Sequence, residues 1–257
     1  MLLTASHINK TFRSEKESFH VLKDVDICVD ERECVGLIGT SGSGKSTLAN
    51  IIIGLEQANS GELDFAGISI DPSISARRRS PQTRNALLNM QMIFQHPVSS
   101  FSERMNVGTA VMEGLAYREG FNRVQAEKRM RSVLELVGLP VSYEKKHAWE
   151  LSGGECQRAA IARAIIGKPK LLICDEPTSA LDVTVQAHIL ALLKNLCEEL
   201  SMACLFISHD LAVVRGFCCR LYVMDAGKIV EKGSTDQIFA NPQSDAAKRL
   251  LESLITF

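Results

Sequence analysis

"GTSGSGKST", residues 39–47, satisfies the pattern G-x-x-x-x-G-K-[ST] from Gly39 to Ser46. Its neighbours supply the context that gives such a pattern meaning. "HVLKDVDICVDERECVGLIG" (20–39) reads as strands rich in β-branched residues that end on the glycine-rich turn, and "KSTLANIIIGL" (45–55) carries helical apolar spacing. A strand, a glycine-rich turn and a helix start together aim free backbone N–H groups at a di- or triphosphate. The cradle comprises Gly39, Thr40, Ser41, Gly42, Ser43, Gly44, Lys45, Ser46 and Thr47. Lys45 offers a point charge to the β/γ-phosphates and Ser46 a hydroxyl to Mg²⁺.

Outward from this loop the pattern is that of an α/β protein. "NSGELDFAGISI" (59–70) has turn glycines between short alternating runs, which predicts a hairpin. Residues 71–89 are polar and basic, so "RRR" (77–79) reads as a solvated loop. "MQMIFQ" (90–95) is a buried strand. From about 105 to 167 the period is helical, with Met130, Val133, Leu134 and Val137 on one face. "KLLICDEP" (170–177) and "ACLFISHD" (203–210) are apolar runs of strand length, and Asp182 caps a helix over 183–200. "RLYVMDAGKIVEKG" (220–233) is a closing hairpin, followed by a terminal helix. Strands alternating with helices imply a mostly parallel sheet, with the ligand at the strands' carboxyl ends.

The composition fits a globular chain of 257 residues: 46% hydrophobic, 23% charged, formal net charge -1. That charge gives no global field toward nucleic acid. The eight cysteines include no C-x-x-C pair, and several sit inside apolar runs, so they read as reduced, mostly packed residues. "MLLTASHINK" lacks a basic region followed by a long apolar one, and no apolar stretch approaches the roughly 18 residues of a membrane helix. The expectation is a cytosolic chain whose membrane role comes through a partner.

Three strand ends carry further chemistry. "LLICDEP" delivers Asp175 to the magnesium and Glu176 to the side of the γ-phosphate, the two groups hydrolysis needs. "ISHD" ends on His209, which can donate to a phosphate oxygen or hold Glu176 and a water. Gln95 ends "MQMIF" as a neutral side chain able to touch both Mg²⁺ and water. "LSGGE" (151–155) raises a different question: Ser152, Gly153, Gly154 and Glu155 form a second helix-start phosphate device in a chain that already has one.

The ordered set "GTSGSGKST", "FQ", "LSGGE", "CDEPTSALD" and "SHD" resembles the nucleotide-binding subunits of ABC transporters over nearly the whole chain. The resemblance implies a RecA-like P-loop NTPase core with an antiparallel β subdomain and a helical subdomain. In this chain it implies a single domain over 1–257, with 96–159 as the helical part that carries the signature. It makes Phe12 the aromatic that stacks on adenine, Glu176 the catalytic carboxylate, Gln95 the Q-loop residue, Asp182 part of the D-loop and His209 the switch histidine. It implies ATP and Mg²⁺ as ligands. It also accounts for the second cradle, because such subunits close head-to-tail and the "LSGGE" of one caps the γ-phosphate held by the other.

"IFQHPVSSFSERMNVGTAVMEGL" and "ACLFISHDLAVVRGFCCRLYVMDAGKIVEKG" are similar to importer ATPases for peptides, nickel and metal–opine complexes. His96, Ser102, Glu103, Arg32 and Glu155 depart from the usual residues there, and none of the departures deletes a group needed for hydrolysis. The tail "NPQSDAAKRLLESL" lacks a His-Pro-Tyr-Thr and any cysteine-bearing extension, which tilts the reading toward the shorter nickel or metallophore type. The implied partners are a second ATPase subunit (copy or paralogue), transmembrane permeases and, indirectly, a substrate-binding protein, with no nucleic acid. The implied place is the cytoplasmic face of the inner membrane. Two alternatives keep the fold: an exporter or lipoprotein-releasing ATPase, separable by a neighbouring gene for a binding protein, and a soluble ABC protein acting on nucleic acid. The latter carry coiled-coil or zinc insertions or tandem domains, where this chain has one set of motifs.

Overall fold

The computed structural model describes residues 1–14, 17–118 and 120–255. The chain opens with β1 (Leu3–Arg13) and β2 (Ser18–Val29), then β3 (Cys34–Gly39) and α1 (Lys45–Ile52). β4 (Ser60–Phe65), β5 (Ile68–Ile70) and α2 (Pro81–Leu87) follow. Next come β6 (Met90–Ile93), α3 (Val107–Ala116), α4 (Arg123–Leu136) and α5 (Gly153–Ile165). β7 (Leu171–Asp175), α6 (Val183–Glu199), β8 (Ala203–Ile207) and α7 (Leu211–Phe217) lead to β9 (Arg220–Asp225) and β10 (Lys228–Ser234). α8 (Thr235–Ala240) and α9 (Asp245–Ile255) close the chain.

The chain forms two compact units, residues 1–87 with 203–257, and residues 88–202. In the first, an antiparallel sheet has the order β2-β1-β4-β5, and β9, β3 and β8 lie parallel with β10 antiparallel on β9. β3 is buried along nearly its whole length, as a strand covered on both faces requires. Gly36 leaves the room that α7 occupies: a Cβ there would stand 2.9 Å from Val214 Cγ1 and 2.5 Å from Leu221 Cδ2.

The second unit holds the parallel pair β6 and β7 with helices α3 to α6. Met130, Val133, Leu134 and Val137 are all buried, so the helical face expected from their spacing exists. Asp182 caps α6 as expected, accepting from the Val185 N–H at 3.0 Å. Among the described residues no helix is long and apolar enough to cross a membrane.

The structure departs from the sequence reading at two places. β1 escaped it because its alternation breaks at His7, whose φ is +54 and where the register with β2 shifts. The basic run is not all solvated loop: α2 follows it, and Arg79 is buried with its Nη1 donating to Gly54 O at 3.0 Å. Arg77 and Arg78 are exposed, as read from the sequence. Cys156, Cys174, Cys197, Cys204 and Cys218 are buried and Cys28 and Cys34 half-buried, while Cys219 is exposed.

Candidate functional site

In the first unit, β3 delivers the glycine-rich loop and α1 receives it. Gly44 occupies the N-cap position at φ 111 and offers no side-chain cap to the first turn of α1. The loop needs its glycines. Gly42 has φ +77, and a Cβ on Gly39 would lie 2.2 Å from Met224 O. Lys45 is buried, and its Nζ donates to Gly39 O and Thr40 O at 2.9 Å each, which threads the ammonium along the inside of the loop. Ser43 is 3% exposed and its Oγ has no protein partner among the described residues. A buried hydroxyl in that position suits a loop that closes on a polar ligand. Ser46 is exposed at the first turn of α1.

The β9–β10 turn holds this loop from behind. Gly227 N donates to Ser43 O at 3.1 Å and Lys23 N donates to Gly227 O at 2.8 Å. The sequence reading passed over Gly227, although an alanine-glycine pair between two strands was visible there. His209 lies two residues beyond Ile207, which pairs with Leu37 of β3, so it stands at the same carboxyl edge as the loop. The backbone beyond His209 is fixed by Asp210, which accepts from Ala212 N and Val213 N at the start of α7. Phe12 sits on β1, in the antiparallel sheet, 40% exposed. Lys10 Nζ lies 4.6 Å from its ring centroid, held there by Glu56 Oε1 at 2.8 Å and Gln57 O at 2.6 Å.

In the second unit, Ile93 of β6 pairs with Cys174 of β7, so Gln95 and Glu176 emerge at the same level. Gln95 Nε2 donates to Glu176 Oε2 at 3.1 Å. Glu176 has φ +47, a left-handed conformation uncommon for a residue with a Cβ. Asp175, just before it, is buried at the end of β7. A carboxylate steadied by an amide can orient a water and accept its proton.

"LSGGE" is a capped helix start. Ser152 Oγ accepts from Glu155 N at 3.4 Å, and Glu155 Oε2 accepts from Ser152 N at 2.8 Å and from Ser152 Oγ at 2.9 Å. Tyr143 donates its hydroxyl to Glu155 Oε1 at 2.8 Å. The Ser152 N–H, then the Tyr143 and Ser152 hydroxyls, hold the Glu155 carboxyl below its ordinary range. The glycines permit close packing: a Cβ on Gly154 would stand 2.7 Å from Val185 Cγ1, and one on Gly153 3.3 Å from Leu181 Cδ2. Gly153, Gln95 and Leu181 line one cavity of about 190 Å³, so the signature tip, the strand-end amide and the segment before Asp182 are neighbours.

The segment after Gln95 is tied to α5 as well. Arg163 donates through Nη1 to Ser100 O and through Nη2 to Ser100 Oγ at 3.0 Å, and its guanidinium lies 4.7 Å from the Phe101 ring centroid.

Ser46 at the start of α1 carries a hydroxyl and Asp175 at the end of β7 a carboxylate, oxygen donors of the kind Mg²⁺ takes. Magnesium keeps few protein ligands and completes its octahedron with phosphate and water.

The family profile described as ABC transporter matches residues 22–179. A Brucella abortus (strain 2308) protein, provisionally named a peptide import ATP-binding protein, is 40% identical over 91% of this chain and 70% of its own. One from Brucella ovis with the same provisional name is 38% identical over 98% of this chain and 78% of its own. The ATP-binding cassette MJ0796, solved as a dimer in a post-hydrolysis state with ADP and Pi, superposes with a TM-score of 0.77 at 28% identity, covering 91% of this chain and 99% of that one. With the phosphate loop, the strand-end amide and carboxylate, and the capped serine-glycine helix start all in place, the chain belongs to the ABC transporter family as one of its ATP-hydrolysing cassettes.

Proposed function

We propose that this ATPase powers import of peptides through membrane permeases, with two cassettes sandwiching ATP head-to-tail. The observation that carries the catalytic part is the Gln95–Glu176 hydrogen bond beside buried Asp175. In this reading Glu176 orients the attacking water and takes its proton, Gln95 keeps that carboxylate in one rotamer, and His209 donates to a γ-phosphate oxygen. The N–H groups from Gly42 to Ser46 and the Lys45 ammonium bind the β/γ-phosphates, and Phe12 takes the adenine ring. Ser46, Gln95 and Asp175 would hold Mg²⁺, which neutralises charge on the phosphates when bound.

Ser152, Gly153 and Gly154 serve the nucleotide of the other cassette. Their support is the exposed, side-chain-capped tip of α5, whose dipole end is positive, together with the dimeric state of MJ0796. Closure around ATP then couples binding energy to movement, and hydrolysis releases it. Residues 96–159 act as the helical lever. The segment at Val98, exposed and tied through Arg163 to α5, is where a permease would push. Membrane association at the cytoplasmic face follows from that contact, and a substrate-binding protein supplies the peptide. The peptide class rests on the Brucella relatives' names. Nickel and metallophore uptake draw no support from them.

The test is Glu176→Gln in the purified chain and in the assembled transporter. ATP binding is retained and hydrolysis falls by about a hundredfold or more, as loss of a general base gives. Undiminished hydrolysis overturns the assignment. For the import reading, a strain lacking the chain loses labelled-peptide uptake and regains it with the wild-type chain only.

A further inference from the structure

A cavity of about 620 Å³ lies in the second unit, away from every residue assigned above. Lys128, Arg129, Ser132, Val133 and Leu136 of α4 line one side of it. The C-terminal ends of α5 and α6 complete it through Ile165, Lys168 and Leu200. Among the described residues its lining combines aliphatic side chains with Lys128, Arg129 and Lys168 and includes no acidic residue. Leu136 is 40% exposed, a large apolar side chain left facing solvent on a helix that buries Leu134.

A second, smaller cavity shares Arg129 and adds Arg118. The Arg118 guanidinium donates to Leu88 O at 2.7 Å, while its buried Nε has no partner among the described residues.

We propose that this cleft binds an acyl-chain carboxylate, with the aliphatic chain on Leu136, Ile165 and Leu200 and the head group on Lys128, Arg129 and Lys168. The size matches the range of small-molecule pockets, roughly 300–1,000 Å³. Among the described residues the lining of the larger cavity has no aromatic ring to stack a nucleobase, which favours an aliphatic body over a nucleotide. The cations select an anionic head over a neutral one. The inference rests on the cleft alone and is independent of the transport reading.

Isothermal titration of the full chain with dodecanoate, below its micelle concentration, tests it. One saturable site is expected, with dodecanol and dodecyltrimethylammonium binding at least about tenfold more weakly for want of the charge-assisted contacts. The double variant K128E/K168E, at two exposed positions, loses affinity by at least about tenfold and keeps its melting temperature, with ATP affinity unchanged. Leu136→Asp loses binding likewise. Absence of saturable binding, equal binding of dodecanol, or undiminished binding by the double variant each overturns the proposal. Vesicles of phosphatidylglycerol distinguish the source: sedimentation with vesicles that needs Lys128 and Lys168, without binding of free dodecanoate, would make the patch a lipid-surface contact and sink the carboxylate site.

Discussion

Gln95 and Glu176, 81 positions apart in sequence, are joined by one hydrogen bond of 3.1 Å across the carboxyl ends of β6 and β7. Parallel pairing of the two strands in register sets both side chains at the same level, and the left-handed φ of Glu176 turns its carboxylate toward the amide. Gln95→Ala removes the donor and leaves the carboxylate free to change rotamer. Steady-state hydrolysis is expected to fall about ten- to hundredfold, the worth of one hydrogen bond to a charged acceptor, with ATP affinity within twofold of wild type. A larger loss in affinity than in turnover would mean that Gln95 acts on the ground state.

The Ser152–Glu155 capping box makes a graded prediction. Glu155→Ala deletes the reciprocal bonds to Ser152 and the bond from Tyr143, and should cost about 1 kcal/mol in a denaturant titration. Glu155→Gln keeps an acceptor and should cost less than half of that. Because the folded-state carboxyl sits below its ordinary range, its contribution is complete above the unfolded value of about 4.3 and fades as pH falls through the lower folded value. The glutamine variant should lack this part of the acid sensitivity.

Glu33 and Arg220 form a second, more enclosed pair. Arg220 donates through Nε to Glu33 Oε1 at 2.8 Å and through Nη2 to Oε2 at 2.7 Å, while Nη1 reaches the Tyr222 hydroxyl at 2.8 Å. Burial pushes the Glu33 carboxyl up, and the Arg220 bonds with the Asp30 N–H outweigh it, so the net direction is down. Arg220 is pushed up, chiefly by its bonds to Glu33, and stays charged throughout. The stabilisation therefore holds above pH about 4.3 and is lost below it as Glu33 takes up a proton. Glu33→Gln at neutral pH should cost about 1–3 kcal/mol and lower Tm by roughly 3–10 °C. Scanning calorimetry against pH checks both.

Gly227 supports the phosphate loop without facing a phosphate. Its φ is +84, and a Cβ would fall 2.4 Å from Val21 O. Gly227→Ala must shift the turn whose N–H holds Ser43 O. ATP affinity, measured by equilibrium titration, should weaken by roughly five- to hundredfold, the range that 1–3 kcal/mol of backbone strain gives. An unchanged affinity with an unchanged Tm would show that the turn yields without moving the loop.

How much of this was legible beforehand follows from the range of each interaction. The phosphate loop could be read from nine consecutive residues, because a tight turn, a free helix N-terminus and a lysine at a fixed offset are local requirements of one backbone. The α6 cap at Asp182 and the buried face of α4 were legible for the same reason: a cap and a 3.6-residue period involve neighbours in sequence. β1 was not, since a bulge at His7 breaks the period of two that marks a strand.

Packing alone decided the rest. Nothing in "RRR" separates Arg79 from its exposed neighbours until Gly54 O is brought to its guanidinium. Glu155 looked like a departure from the usual glutamine, and folding supplied Tyr143 to make the carboxylate fit. The clamp at Gly227, the Gln95–Glu176 bond and the cation-lined cleft each join residues far apart in the chain. Sequence spacing determines what a segment can do with its own backbone. Which distant side chain meets it depends on strand register and helix packing, which no short window contains.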